Sequence, residues 1–98
     1  MEIIHLEKGN FKELISGEKK VLIDFFATWC GPCKMLGPVL ENYSSGIKTI
    51  KVDVDEFDEL AREYGVMSIP TLVLMEDGKE VKRNVGLINE DDLETFLK

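Results

Sequence analysis

Stretches of apolar residues alternate with segments of helical period along this chain. Residues 21–27 are apolar at nearly every position except Asp24, which is typical of a central strand that is covered on both faces. Residues 49–54 alternate in polarity and are rich in β-branched side chains, which predicts a further strand. Because strand-like and helix-like segments alternate, the pattern predicts an α/β domain.

Residues that predict the starts and ends of helices lie between these strands. Asn10, with Glu13 three residues later, predicts a capping box at the start of the first helix, and Gly17 falls where that helix would end. The second helix is predicted to start at the cysteines and to end at residues 44–46. The other two helices are predicted over residues 55–64 and from Asn89 onwards.

A hairpin is predicted near the end of the chain. Asp77 and Gly78 lie between two strand-like runs, residues 71–75 and 79–85, and an Asp-Gly pair in that position is a strong signal for antiparallel strands. With residues 3–6 as a short edge strand, the predicted order is β-α-β-α-β-α-β-β-α. A chain of 98 residues accommodates this order as one domain over residues 1–98.

The charge balance is acidic, with 19 Asp and Glu residues against 12 Lys and Arg residues and a net charge of −7. An acidic chain without a basic cluster is a poor ligand for nucleic acid or an anionic membrane, so we expect neither partner. No apolar run is long enough to span a bilayer, and residues 1–5 lack the basic start and apolar core of a secretory signal. We therefore expect a cytoplasmic protein, with a monomer as the default state.

The two cysteines of the chain, Cys30 and Cys33, are spaced one helical turn apart. A disulfide that closes so short a loop restrains the unfolded chain little, which favours thiol–disulfide exchange over structural cross-linking. At the N-terminus of a helix, Cys30 is expected to have a stabilised thiolate and to be the more exposed and more acidic nucleophile. Cys33 is expected to be shielded, and to resolve the mixed disulfide that Cys30 forms.

The residues around the cysteines support this interpretation. Gly31 allows the backbone of a substrate to approach, and Pro32 stiffens the first turn of the helix. A zinc half-site is one alternative, but zinc needs four ligands and beyond the cysteines the chain offers only His5. An inert buried pair is a second alternative, which the flanking Trp29 and the intervening Gly-Pro disfavour. We expect neither a metal nor a cofactor.

Asp24 is the other unusual residue, because an ionised carboxylate inside an apolar strand is costly to bury and should have a raised pKa. We interpret Asp24 as the general base and acid for Cys33; the alternative is an aspartate at a strand end that faces water. Lys51 is either the charge partner of Asp24 or a lysine that extends to the surface. Trp29 either faces the substrate or covers the core.

Residues 24–35, with Trp29 and the two cysteines at their centre, resemble the active-site stretch of the thioredoxin family. The resemblance extends over nearly the whole chain. Further counterparts of the family pattern are Pro38, the strand at 51–55, residues 65–71, the turn at 77–78 and the pair at 85–86. Two positions depart from it: Phe26 stands where many members carry a second tryptophan, and Thr28 replaces a residue that is commonly acidic or small.

The resemblance implies a thioredoxin fold, in which a central five-stranded mixed β-sheet is flanked by four helices. It also implies that Asp24 is buried and that a cis peptide bond precedes Pro70 beside the disulfide. A substrate groove is implied at four residues: Trp29, Ile69, Pro70 and Gly86. The implied activity is reduction of disulfides in protein substrates by a dithiol–disulfide oxidoreductase that binds no cofactor and is re-reduced by a thioredoxin reductase.

Two other functions remain possible on the same scaffold. A disulfide oxidase or isomerase needs an oxidising compartment and commonly carries histidine between its cysteines, so the Gly-Pro pair and the missing leader weigh against it. A binding subunit would use the surface at Trp29 and Pro70 to hold one partner, with incidental redox cycling. The intact cysteine pair disfavours this second alternative.

Overall fold

The computed structural model describes residues 1–43 and 45–98, and its element order confirms the predicted β-α-β-α-β-α-β-β-α. Ser44, at the predicted end of the second helix, lies outside the described residues. The elements are β1 (Glu2–His5), α1 (Phe11–Ile15), β2 (Lys20–Phe26), α2 (Gly31–Asn42), β3 (Lys48–Asp53), α3 (Asp58–Glu63), β4 (Thr71–Glu76), β5 (Lys79–Val85) and α4 (Glu90–Leu97).

Strand β2 lies at the centre of the sheet, whose strand order is β1-β3-β2-β4-β5. It pairs in parallel with β3 and antiparallel with β4. Strand β1 adds in parallel to β3 at one edge, and β5 adds antiparallel to β4 at the other. The predicted five-stranded mixed sheet with four helices is therefore confirmed.

Alternate side chains of β2 enter two different cores, which explains why this strand is apolar at nearly every position. Val21, Ile23 and Phe25 are buried in a cluster that α1 and α3 cover. Leu22 is buried in a second cluster, on the side of α2 and α4. Because side chains alternate between the faces of a strand, Asp24 lies on the same face as Leu22, towards α2.

The second core fixes α2 against the sheet. Leu36 and Leu40 of α2 are fully buried in this cluster, as is Leu93 of α4. Leu22 of β2 belongs to the same cluster, so this packing fixes the position of α2 relative to β2. The N-terminus of α2 therefore lies just after the end of β2. Within the described part of the chain, no helix has both the length and the apolar character needed to cross a membrane.

The predicted hairpin is also confirmed. Asp77 and Gly78 have φ values of 51° and 81°, and two consecutive left-handed residues are characteristic of the tight turns that join antiparallel strands. Strands β4 and β5 pair antiparallel on either side of this turn, with an irregularity in register between Leu74 and Met75.

One predicted helix cap and one predicted helix start are wrong. The side chain of Asn10 accepts no hydrogen bond at the start of α1, so the capping box with Glu13 does not form. Helix α3 begins at Asp58 instead of residue 55, because Asp53 organises a turn first. Its Oδ1 accepts a hydrogen bond from the Asp55 N–H at 2.9 Å, and its carbonyl accepts one from the Phe57 N–H at 2.8 Å.

The two asparagine caps provide a matched test. Asn89 Oδ1 accepts a hydrogen bond from the Asp92 N–H at 2.8 Å at the start of α4, whereas Asn10 makes no such bond. Asn89→Ala should lower the free energy of unfolding by about 1 kcal/mol, and Asn10→Ala by less than about 0.5 kcal/mol. Denaturant unfolding of both variants measures this difference. Equal losses would show that the cap hydrogen bond does not stabilise α4.

Candidate functional site

The site is built where β2 passes into α2. Cys30 is the N-cap residue of α2, and it is joined to Cys33 by a disulfide, with 5.2 Å between their Cα atoms. The Sγ atom of Cys30 accepts a hydrogen bond from the Cys33 N–H at 3.2 Å. This N–H is one of the donors that a helix leaves unsatisfied at its N-terminus, and it favours a negative charge on the Cys30 sulfur. The position predicted for the nucleophile is thus the one that the fold provides.

The predicted difference in exposure between the cysteines is wrong for the disulfide form. Cys30 is 5 % exposed and Cys33 is 4 % exposed. Both pack with Ala27, and Ile69 covers them from the loop before β4. The Ile69 carbonyl oxygen lies 3.9 Å from Cys30 Sγ. The resemblance to the thioredoxin family placed this loop beside the disulfide, but sequence reasoning did not anticipate that the loop buries Cys30.

Asp24 is buried as predicted, with 1 % of its surface exposed. Lys51 Nζ lies 3.7 Å from Asp24 Oδ2, and it also lies 4.6 Å from the centre of the Phe26 ring. Burial raises the pKa of Asp24 from 3.8 to about 6, against the opposing effect of the Lys51 charge. Lys51 is therefore the charge partner of Asp24, which was one of the two interpretations of the sequence.

Asp24 shares a face of β2 with a residue that packs against the cysteines. Phe26, on the same face of β2, packs against the cluster that contains Cys30 and Cys33. Among the described residues, neither carboxylate oxygen of Asp24 has a hydrogen-bond partner. A buried carboxylate without hydrogen bonds binds a proton readily, because protonation removes the charge. The strand thus places a proton-binding group on the side of the sheet from which α2 presents Cys33.

Trp29 is 69 % exposed, so the alternative in which it covers the core is wrong. Its indole N–H donates a hydrogen bond to Asp55 Oδ2 at 2.7 Å. Sequence analysis overlooked Asp55 because it lies in a run of acidic residues that resembles a solvated surface. A signal was present: Asp55 follows β3, and β3 runs parallel to β2, so both strands end at the same edge of the sheet.

The loop before β4 completes the site. The peptide bond between Ile69 and Pro70 is cis, and the Pro70 carbonyl accepts a hydrogen bond from the Gly86 N–H at 2.8 Å. Gly86 has a φ of 99°, which side chains other than hydrogen rarely permit. Pro70 is buried and Ile69 is half-buried, so of these two residues Ile69 offers more surface to a substrate.

Exposed residues surround the buried disulfide. Gly31 and Pro32 lie in the first turn of α2 and are exposed. Three large apolar residues that sequence analysis did not select are also exposed: Met35 in α2, Met67 before Ile69, and Leu87 after Gly86. Their closeness in sequence to Cys33, Pro70 and Gly86 is the signal that could have identified them. Within residues 1–43 and 45–98, no group of three or more His, Cys, Asp or Glu side chains is arranged to hold a metal ion.

Comparison with known proteins agrees with this geometry. The family model described as thioredoxin matches residues 2–98. A thioredoxin of Chlamydia trachomatis is 57 % identical over 91 residues, which cover 90 % of this chain and 88 % of that protein. A bifunctional thioredoxin reductase/thioredoxin of Mycobacterium leprae is 51 % identical over 80 residues, which cover 78 % of this chain but 18 % of that protein.

A solved structure gives the same result for the fold. A mutant thioredoxin from Halobacterium salinarum superposes with a TM-score of 0.91 at 41 % sequence identity, and the match covers 98 % of this chain and 88 % of that one. Fold, cysteine pair and sequence similarity all lead to one assignment. The chain belongs to the thioredoxin family and is a protein dithiol–disulfide oxidoreductase that reduces protein disulfides.

Proposed function

We propose that Cys30 is the attacking thiol and Cys33 the resolving thiol in this reaction. The observation that carries the proposal is the hydrogen bond from the Cys33 N–H to Cys30 Sγ, which stabilises a thiolate on Cys30 and on no other sulfur of the described chain. The Cys30 thiolate attacks one sulfur of the substrate disulfide. The substrate S–S bond breaks, a mixed disulfide forms, and the departing substrate thiolate takes up a proton.

Resolution of the mixed disulfide completes the transfer. Cys33 loses its proton and attacks Cys30 Sγ, so that the bond between Cys30 and the substrate breaks and the second substrate thiol is released. Two electrons and two protons have then passed to the substrate, and the Cys30–Cys33 disulfide remains. In this scheme Asp24 accepts the Cys33 proton, and Lys51 limits how far burial raises the pKa of Asp24.

We further propose that the substrate binds over the disulfide, along the exposed residues that surround it. Ile69 adjoins Cys30 Sγ through its carbonyl oxygen, and Gly86 is tied to the same loop through Pro70. The substrate-binding residues in this proposal are Trp29, Gly31, Pro32, Ile69, Pro70 and Gly86. Exposed apolar side chains next to a buried reactive centre favour transient contacts with proteins.

The oxidised protein must recover two electrons, and proteins of the thioredoxin family receive them from thioredoxin reductase. We propose the same donor class here, since the Mycobacterium leprae relative carries both names in one chain. We also propose that residues 1–98 form a single domain that works as a monomer in the cytoplasm, without a cofactor and without a role in binding nucleic acid.

Removal of the resolving thiol tests the roles proposed for the two cysteines. Reduced Cys33→Ser should accumulate a mixed disulfide with a protein substrate such as insulin, because Cys30 still attacks but nothing displaces the substrate. Cys30→Ser is the matched control and should accumulate at least roughly tenfold less of the adduct, since the Cys33 sulfur lacks the hydrogen bond that the helix N-terminus gives to Cys30. Non-reducing electrophoresis and mass spectrometry measure the amount of mixed disulfide that each variant accumulates. Equal trapping by the two variants would contradict the assignment.

The role of Asp24 as proton acceptor predicts a kinetic effect. Asp24→Asn should slow resolution of a preformed Cys30–glutathione mixed disulfide at pH 7 on the order of 10²-fold, a common contribution of general base catalysis. The deficit should shrink towards pH 9, where hydroxide removes the Cys33 proton directly. Rapid acid quenching followed by mass spectrometry gives the rate. An equal deficit at every pH between 6 and 9 would assign Asp24 a structural role only.

The raised pKa of Asp24 also predicts a pH dependence of stability. The folded protein retains the proton up to about pH 6, whereas the unfolded chain releases it near 3.8. The free energy of unfolding should therefore fall as pH rises from about 4 to 6, by roughly 3 kcal/mol, and remain lower above that range. Asp24→Asn in the oxidised protein should remove most of this fall, as measured by denaturant unfolding.

The exposed Asp91→Asn is the control for this measurement, because it changes the same functional group on the surface of α4. It should retain the decrease in stability between pH 4 and 6. If both variants show the same pH dependence as the unsubstituted protein, burial of Asp24 does not destabilise its ionised form.

A further inference from the structure

A second surface lies next to the active site and takes no part in the chemistry described above. An open groove of about 860 Å³ runs between the start of α1 and helix α3. We call it the α1–α3 groove. Its apolar floor is formed by Leu6, Phe11, Phe57 and Leu60. The last three pack against the core but remain half-buried, so their outer surfaces are open to a ligand.

Carboxylates dominate the rim of the groove. Its acidic members are Glu7, Glu56, Asp58, Glu59 and Glu63, against the lysines at positions 8 and 12. Asp58 is paired with Arg62 at 2.9 Å. Within residues 1–43 and 45–98, the four glutamates form no salt bridge. The rim therefore carries unneutralised negative charge above an apolar floor.

The connection that follows β3 links the α1–α3 groove to the active site. Asp55 accepts the hydrogen bond of the Trp29 indole, and Glu56, the next residue, already lines the groove. The connection after β3 thus has one side chain at the active site and the next on the rim. A polypeptide that binds across Trp29 can extend into the groove along the same surface.

We propose that the α1–α3 groove binds a segment of the disulfide-containing protein substrate in which Lys or Arg side chains flank an apolar residue. The apolar residue covers Phe57 and Leu60, and the basic side chains approach the glutamates on the rim. Opposite charges at the rim of an interface raise the association rate and favour the matching partner. This inference rests on the proposed function only in taking the bound segment to belong to a substrate.

Peptides without cysteine test binding separately from chemistry. Two 12-residue peptides share the same leucines, and one carries four lysines where the other carries four glutamates. The lysine peptide should shift the amide signals of Leu60 and Glu63 in the NMR spectrum of the oxidised protein, and this binding should weaken with salt. Shifts confined to Trp29 and Ile69, no shifts, or equal binding of the glutamate peptide would overturn the proposal. Shifts that depend on protein concentration alone would assign the groove to a second copy of the chain.

Kinetics then test the link to substrate reduction. The groove variant combines Glu7→Gln, Glu59→Gln and Glu63→Gln, and the control variant, with the same change in net charge, combines Glu2→Gln, Glu41→Gln and Glu94→Gln. The groove variant should reduce a disulfide attached to the lysine peptide roughly fivefold more slowly than the control at low salt. Equal rates of the two variants would contradict the proposal.

Glutathione disulfide, as a second substrate, distinguishes failure of the groove proposal from failure of the proposed function. It lacks the basic and apolar side chains that the α1–α3 groove is proposed to bind, so the groove variant and the control variant should reduce it at equal rates. If the unsubstituted protein failed to reduce either disulfide, the proposed function would fail while the NMR result still decided whether the groove binds the peptide. If the groove variant alone lost activity towards glutathione disulfide, its effect would lie in the active site and the groove proposal would fail.

Discussion

The burial of β2 on both faces is the constraint on which the site depends. Val21, Ile23 and Phe25 require a layer formed by α1 and α3, and Leu22 requires a layer formed by α2 and α4. Since Leu36 and Leu40 hold α2 in the second layer, the N-terminus of α2 must follow the end of β2. Cys30 lies at this junction, so apolar packing of the strand places the proposed nucleophile at the unsatisfied N–H groups of the helix.

Asp24 is the exception in this apolar strand. The energetic cost of burying its carboxylate is connected with its proposed role in proton transfer. The ion pair with Lys51, at 3.7 Å, offsets only part of the desolvation of the carboxylate, so its pKa stays near 6. A shorter distance to Lys51 would lower the pKa of Asp24 further, and a buried carboxylate without a charge partner would stay protonated at neutral pH. The observed spacing leaves Asp24 mostly ionised at pH 7 and still basic enough to accept a proton. Burial of Asp24 thus lowers stability at the position for which we propose proton transfer.

Sequence analysis predicted the features that depend on local pattern. The alternation of strands and helices, the Asp77–Gly78 turn and the burial of Asp24 follow from periodicity, turn chemistry and an apolar neighbourhood. The features it missed depend on contacts between distant residues. The Trp29–Asp55 hydrogen bond joins residues 26 positions apart, and Ile69 lies 39 positions from the sulfur that it covers. No spacing in the sequence reports such contacts. The family resemblance placed Ile69 and Pro70 beside the disulfide, but it did not indicate that they bury Cys30.

The exposed apolar side chains around the disulfide make docking a part of the proposed reaction. In the disulfide form Cys30 and Cys33 are 5 % and 4 % exposed, whereas Trp29 and Met67 are 69 % and 97 % exposed. A protein that covers these two apolar side chains gains binding energy at about 25 cal/mol per Å² of apolar surface removed from water. That energy can hold its disulfide against Cys30 while the bonds exchange. We expect such docking to favour protein disulfides over small ones, because a small disulfide covers less of this apolar surface.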